Sequence, residues 1–201
     1  ACAREAPAPT ASRISGHDNP LLAEWHTEFG VPPFDLIRNE HYLPGLREAM
    51  AIHKSEIAAV ASSTEAPTFA NTIEALERSG ALYERASRVF YAVTSAHTND
   101  TLQDVERTLA PEEAAHRDEI LLNPDLYARV KAVWEQRGSL GLNPEQLTLL
   151  EETHKEFVRS GAALPDSAKR RLKELNRELA ELSQKYGQNV LEETNAYELH
   201  V

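Results

Sequence analysis

The sequence predicts an all-α protein, a multi-helix bundle of about six helices, and three observations predict it. Apolar residues return at alternating steps of three and four along most of the 201-residue chain, the spacing that gathers them on one side of a helix. Only 8 Gly occur amid heavy Ala, Glu and Leu usage, which leaves few turn residues for a multi-stranded sheet. Asn123-Pro124-Asp125 and Asn143-Pro144-Glu145 each read as a helix start: Asn caps, Pro takes the first position where its missing N–H is harmless, and the acid meets the positive helix end.

The first helix carries Leu43, Leu46, Met50, His53, Ile57 and Val60 on one stripe. Pro44 is tolerated only in a first turn, so this helix is placed from about His41, and Glu65-Ala66-Pro67 breaks it. Thr68 and Asn71 are both N-cap candidates for a second helix, Asn71 with Glu74 three residues on, and the stripe Ile73, Leu76, Gly80, Tyr83, Ser87, Phe90, Val93 takes it to about His97. Gly80 costs about 1 kcal/mol inside a helix relative to Ala, which predicts a close crossing or a break there. A third segment opens at Thr101 with Leu102, Val105, Leu109, His116 and Ile120, and Pro111 either kinks it or starts a new helix. The two Asn-Pro helices follow, ending near Gly138 and Gly161. Asp166 then caps the longest run, with Leu172, Leu175, Leu179, Leu182, Tyr186 and Val190 spaced as in a coiled-coil seam. Stripes of this kind are expected to bury against one another. Tyr197-Glu198-Leu199-His200-Val201 alternates like the start of a strand, which points to a natural chain that continues.

Composition removes several function classes. With 21 Lys and Arg against 32 Asp and Glu, the formal net charge is −11, and no basic surface exists to neutralise a phosphate backbone, so nucleic acid is not an expected partner. No apolar run approaches the ~18 residues of a membrane span. Cys2 is the one cysteine and has no internal disulfide partner. It leads a small-residue, Pro-rich stretch, so residues 1–18 read as a flexible tail and 19–201 as the helical domain. A small residue, a cysteine and such a tether resemble the mature start of a bacterial lipoprotein, which makes Cys2 a lipidation candidate and a possible membrane tether; the alternative is an ordinary free thiol.

Catalytic machinery is sparse. The eight His stand at 17, 26, 41, 53, 97, 116, 154 and 200, and no two are three or four apart, so these residues contain no His-Glu-x-x-His helix to hold zinc. Nor is there a Gly-x-Ser-x-Gly elbow or a phosphate-binding Gly loop. One constellation passes this filter. Glu113-Ala114-Ala115-His116 and Glu151-Glu152-Thr153-His154 both show the Glu-x-x-His spacing of four-helix carboxylate proteins that hold two metal ions. Two matches are unsurprising in a Glu-rich chain, and histidines satisfied by hydrogen bonds within a core are their ordinary source; His53 and the aromatic set Tyr83, Phe90 and Tyr91 read as packing in the same way.

Five ordered stretches carry a family resemblance: Asn19-Pro20-Leu21-Leu22; Pro32-Pro33-Phe34-Asp35-Leu36-Ile37 with Glu40-His41-Tyr42-Leu43-Pro44; Pro67-Thr68-Phe69-Ala70-Asn71-Thr72-Ile73-Glu74-Ala75-Leu76-Glu77; Ala115-His116-Arg117-Asp118-Glu119-Ile120-Leu121-Leu122-Asn123; and Phe157-Val158-Arg159-Ser160-Gly161-Ala162, with Asn189-Val190-Leu191 beyond. Together they resemble, over roughly residues 19–201, the amino-terminal helical region of the bacterial peptidyl-dipeptidase and oligopeptidase A family, whose relatives include thimet oligopeptidase and neurolysin. Ala70 stands where that family more often has a charged residue. The resemblance implies the amino-terminal helical domain of a neurolysin-like fold, within a zinc metallopeptidase that cleaves short peptides in a deep channel. It implies that zinc and the catalytic Glu lie outside this chain, so that no residue here is assigned to catalysis or to the metal and none of its own cofactors is expected. The implied partners are the carboxy-terminal catalytic part of the same protein and short peptide substrates, with this piece forming one channel wall. The Cys2 tail points to a periplasmic or envelope-anchored location, the alternative being the cytoplasm, where several family members reside. A stand-alone helical binding or scaffold module of the cell envelope and the di-metal bundle are the competing readings.

Overall fold

The computed structural model describes residues 19–198; the expected tail, Cys2 and the last three residues of the strand-like pentad lie outside them. A single turn at Glu28–Gly30 precedes helix α1 (Asn39–Ala61); a π-type turn at Phe69–Glu74 runs into the short α2 (Ala75–Arg78); α3 (Ala81–Ala96), α4 (Asp100–Leu121), α5 (Pro124–Gln136), α6 (Pro144–Arg159) and α7 (Asp166–Ala196) follow. The architecture is all-α. Among the described residues there is no strand, and Tyr197 and Glu198 leave α7 as irregular chain.

Local chemistry accounts for most boundaries. Asn123 Oδ1 accepts from the Asp125 and Leu126 amides, and Asn143 and Gln146 form a reciprocal capping box at 2.9 and 3.1 Å. The cap before the π-type turn is Thr68, not Asn71: Thr68 Oγ1 accepts from Asn71 N while Asn71 Oδ1 accepts from Thr68 N, so Asn71 is the returning arm of the box and Glu74 takes no part. α1 begins at Asn39, which leaves Pro44 deeper than its first turn. In the same turn the His41 carbonyl also accepts from Asn19 Nδ2 at 2.8 Å, which ties the chain before α1 to its start. Pro111 neither ends nor restarts α4, which runs on through it. Gly80 gives both the break and the close approach: it is left-handed at φ 74°, it separates α2 from α3, and a Cβ there would lie 2.7 Å from the His53 ring.

Two cores form. One gathers Leu46 and Met50 of α1, Phe90 of α3 and Leu102 and Leu109 of α4; the other gathers Ile57 of α1, Phe69, Ile73, Leu121, Leu126, Val130, Leu150 and Phe157. α1 and α4 run through both, and each passes from one core to the other at a histidine, His53 between Met50 and Ile57 and His116 between Leu109 and Leu121.

The expectation that every stripe is buried fails for α7. This 31-residue helix packs chiefly on α4 and has one buried residue, Lys169, whose ammonium donates to the Leu122 carbonyl. Its seam stays open, with Leu175 44%, Leu179 64%, Leu182 57%, Tyr186 72% and Val190 46% exposed. Its inner face is held by polar contacts instead, Asn176 to Asp118 at 2.7 Å and Gln188 to Gln103 at 2.9 Å.

Candidate functional site

Where α4 and α7 diverge, they and the chain around Ser160 enclose a cleft of about 910 Å³. His53, Tyr83, Glu113 and His116 line one part of it, Arg117, Asp118 and Arg159 another, and Leu172 and Leu179 of α7 supply apolar surface. Spacing places Glu113 beside His116 on α4; the helix crossings bring His53, Tyr83 and the α7 leucines to them.

His116 is 3% exposed, and its Nε2 lies 3.0 Å from His53 Nδ1. His53 Nε2 meets Ser79 Oγ at 3.4 Å, while the Ser79 hydroxyl donates to the Leu76 carbonyl at 2.6 Å. The directions follow from one hydrogen. Since Ser79 spends its hydrogen on Leu76, its oxygen accepts from His53 Nε2–H. Neutral His53 then offers a bare Nδ1, so His116 donates through Nε2–H and its own Nδ1 is an acceptor. That Nδ1 is buried and has no partner among the described residues.

Burial holds both rings neutral. It lowers the His53 pKa, with Glu56 pulling weakly the other way. It lowers that of His116 to about 4, helped by the positive charge His53 would carry and by Lys54, against Glu119. Tyr83 packs edge-on to His116, with ring centroids 5.2 Å apart, and donates to Glu113 at 2.8 Å; Tyr91 donates to the other oxygen of the same carboxylate. Burial, with Glu113 adjacent, pushes both phenol pKa values up, so both hydroxyls keep the proton they donate to the carboxylate. Around the pair, Arg47–Glu112 and Lys54–Glu119 bridge α1 to α4 on the surface.

This arrangement has a sign in pH. As pH falls below the ordinary 6.5, the unfolded chain takes up a proton at His116 that the folded chain refuses until about 4. Stability should therefore fall across that window, by about 3 kcal/mol from His116 alone. His53, and His154 on α6, add in the same direction. Urea unfolding midpoints taken between neutral pH and pH 4 check this; a level midpoint would contradict it.

The four residues of the di-metal alternative do not converge. Glu113 is held by the two tyrosines and His116 by His53, whereas His154 stacks on Trp134 with centroids 4.7 Å apart and Glu151 pairs with Lys155 at 2.8 Å. Among the described residues no three His, Cys, Asp or Glu side chains form a group that could hold a metal ion. Of the two near-lying imidazoles, only His116 Nδ1 is left without a hydrogen-bond partner. No helix among the described residues is long and apolar enough to cross a membrane.

No family model matches the chain. Individual relatives do. It is 44% identical over 173 residues to the dipeptidyl carboxypeptidase of Escherichia coli, a stretch that is 86% of this chain and 25% of that protein. Over this stretch the chain is similar to dipeptidyl carboxypeptidases and oligopeptidases A. The Salmonella typhimurium dipeptidyl carboxypeptidase is also 44% identical, over 89% of this chain and 26% of its own length, and a probable cytosolic oligopeptidase A of Arabidopsis thaliana is 28% identical over 94% and 26%. The chain thus spans about a quarter of the length of the curated relatives it matches.

The Glu-x-x-His spacing singled out Glu113 and His116 for the wrong partners, because it is local. The feature that marks this site is the pairing of His116 with His53, 63 residues earlier, which no spacing rule encodes.

Proposed function

We propose that these helices form a non-catalytic wall of the substrate channel in a zinc-dependent peptidyl-dipeptidase or oligopeptidase acting on short peptides. The observation that carries the reading is the open seam of α7, where five large apolar or aromatic residues are exposed along and beside the α4–α7 cleft. A contiguous apolar face of this kind marks a surface made to be covered. Homology over a quarter of each relative supports further polypeptide of the same protein as the cover. The zinc and the Glu that activates its water then belong to that further polypeptide, and these helices exclude folded proteins and admit oligopeptides.

The test compares the 201-residue chain with a longer polypeptide that contains it. Zinc-dependent release of dipeptides from the carboxyl end of a peptide is expected from the longer one and not from the chain. Leu179→Asp combined with Leu182→Asp should cut the longer protein's activity about tenfold or more while the helical content of the chain stays the same. Peptide hydrolysis by the 201-residue chain, or an activity indifferent to the double substitution, overturns the reading. An envelope location through lipidated Cys2 is a separate part of the proposal, read by mass spectrometry of the natively produced protein; an unmodified Cys2 removes it.

A further inference from the structure

The open seam of α7 is charged along its edge in a pattern that selects what can cover it. Leu172, Leu175, Leu179, Leu182 and Tyr186 follow one another at steps of 3, 4, 3 and 4, the repeat with which two helices wind about each other. One flank of this row carries Arg171, Glu178, Lys185 and Glu192, all exposed and each seven residues from the next. Arg171 shares Glu174 at 2.9 Å; Glu178, Lys185 and Glu192 have no ion pair among the described residues. The other flank, Asn176, Ser183 and Val190, is uncharged. Charge also changes sign along the helix: residues 166–177 hold five Lys and Arg against two acids, and residues 178–196 one Lys against four Glu.

Both patterns are self-complementary in one orientation. Two copies of α7 laid antiparallel, with Leu179 against the partner's Leu182 and Leu175 against the partner's Tyr186, bring Arg171 to the partner's Glu192 and Glu178 to the partner's Lys185. Two-fold symmetry repeats both pairs, so every flanking charge meets its opposite, and the basic half of each helix lies along the acidic half of the other. A parallel pair sets like halves together, and its flanking charges meet the uncharged row, which returns nothing. We propose that the 201-residue chain pairs with a second copy of itself through α7, as an antiparallel two-fold dimer in this register. Asn189 falls opposite the partner's Leu172 at each end of the seam, a polar position that holds the register at a cost in affinity. From Leu172 to Val190 the seam is about 27 Å long, so the pairing is a reversible, micromolar one. In the longer protein of the channel-wall reading, further polypeptide covers this seam; on the chain by itself a second copy takes that place.

Sedimentation equilibrium of the 201-residue chain across the micromolar range, at neutral pH and low salt, tests this, and a monomer–dimer equilibrium is expected. Glu178→Lys turns two attractive pairs into repulsive ones and should weaken self-association about tenfold, as should Lys185→Glu. The two together restore opposite signs and should regain most of the parent affinity, which a parallel pair or a different face would not show. Leu179→Asp with Leu182→Asp should leave a monomer whose circular dichroism matches the parent. A chain that stays monomeric throughout overturns the proposal. So does a dimer that survives the two aspartates, or a pair of charge reversals that fails to restore affinity. If the chain is monomeric while the longer protein loses activity with the two aspartates, the self-pairing falls and the channel-wall reading stands. If the chain dimerises and that activity is indifferent to them, the channel-wall reading falls and the self-pairing stands.

Discussion

Replacing Arg129 by methionine should lower the unfolding free energy by about 3 kcal/mol, although the substitution removes a buried charge that has no carboxylate beside it. The Arg129 side chain is 6% exposed and ends on four neutral acceptors: the carbonyls of Ser63 and Glu65 at 2.9 and 3.0 Å, Asn71 Oδ1 at 3.1 Å and Thr72 Oγ1 at 3.3 Å. Those acceptors belong to the loop after α1 and to the π-type turn, so one guanidinium from α5 sets the path of the chain between them. Hydrogen bonds from a charged donor contribute about 1.5–3 kcal/mol each, and the loss is smaller than their sum because the loop carbonyls can turn toward water. Methionine keeps the apolar stem and the volume, so the difference isolates the fork. Arg129→Lys keeps the charge but has no planar fork to span four acceptors, and should recover less than half of the loss. Thermal unfolding checks both, with an expected drop of about 6–12 °C for methionine at this chain length. A methionine variant as stable as the parent would mean that burying the cation costs as much as its hydrogen bonds return.

The second large effect is at Gly80. Alanine there should cost about 2–4 kcal/mol, from two sources that act together. Its φ of 74° lies in the left-handed region, and its Cβ would come within 2.7–2.8 Å of three atoms of the His53 ring. The ring cannot move away without breaking its contact with His116. A structural cost alone would leave the histidines unchanged, whereas displacement of His53 should raise the His116 pKa toward its ordinary value by admitting water. Gly80→Ala examined by unfolding and by histidine NMR titration separates the two: a loss of stability with His116 still titrating near 4 would show that the backbone alone is responsible. Gly30, also left-handed at φ 66°, has nothing within 4 Å of the place a Cβ would take and offers the matching control in which strain acts without contact.

Much of the fold was legible because helix punctuation is local. Asn123 and Asn143 mark their helix starts through bonds to residues two or three positions away, with Pro124 and Pro144 at the first position where no N–H is needed, and a sequence displays such signals directly. The α7 stripe was legible as a stripe, yet not as an exposed one, because steps of three and four say which residues share a face and nothing about what covers it. The site was less legible. Glu113 and His116 share a helix face, as their spacing requires, but their partners Tyr83, Tyr91 and His53 come from α3 and α1, and only the helix crossings decide that. Arg129 left no sign at all. An arginine on an amphipathic helix ordinarily faces water, and its burial depends on a loop 57–66 residues earlier in the chain that offers carbonyls rather than carboxylates.

A helix gripped at intervals along one flank behaves mechanically as a clamped beam. Because α7 rests chiefly on α4 and is held at Lys169, Asn176 and Gln188, a load on its exposed leucines is carried at spaced grips, with the Asn176–Asp118 bond sitting where the cleft lies. Pressing or pulling there would change the width of the gap over His116 with little disturbance to the two cores behind it, since α7 contributes one buried side chain in all.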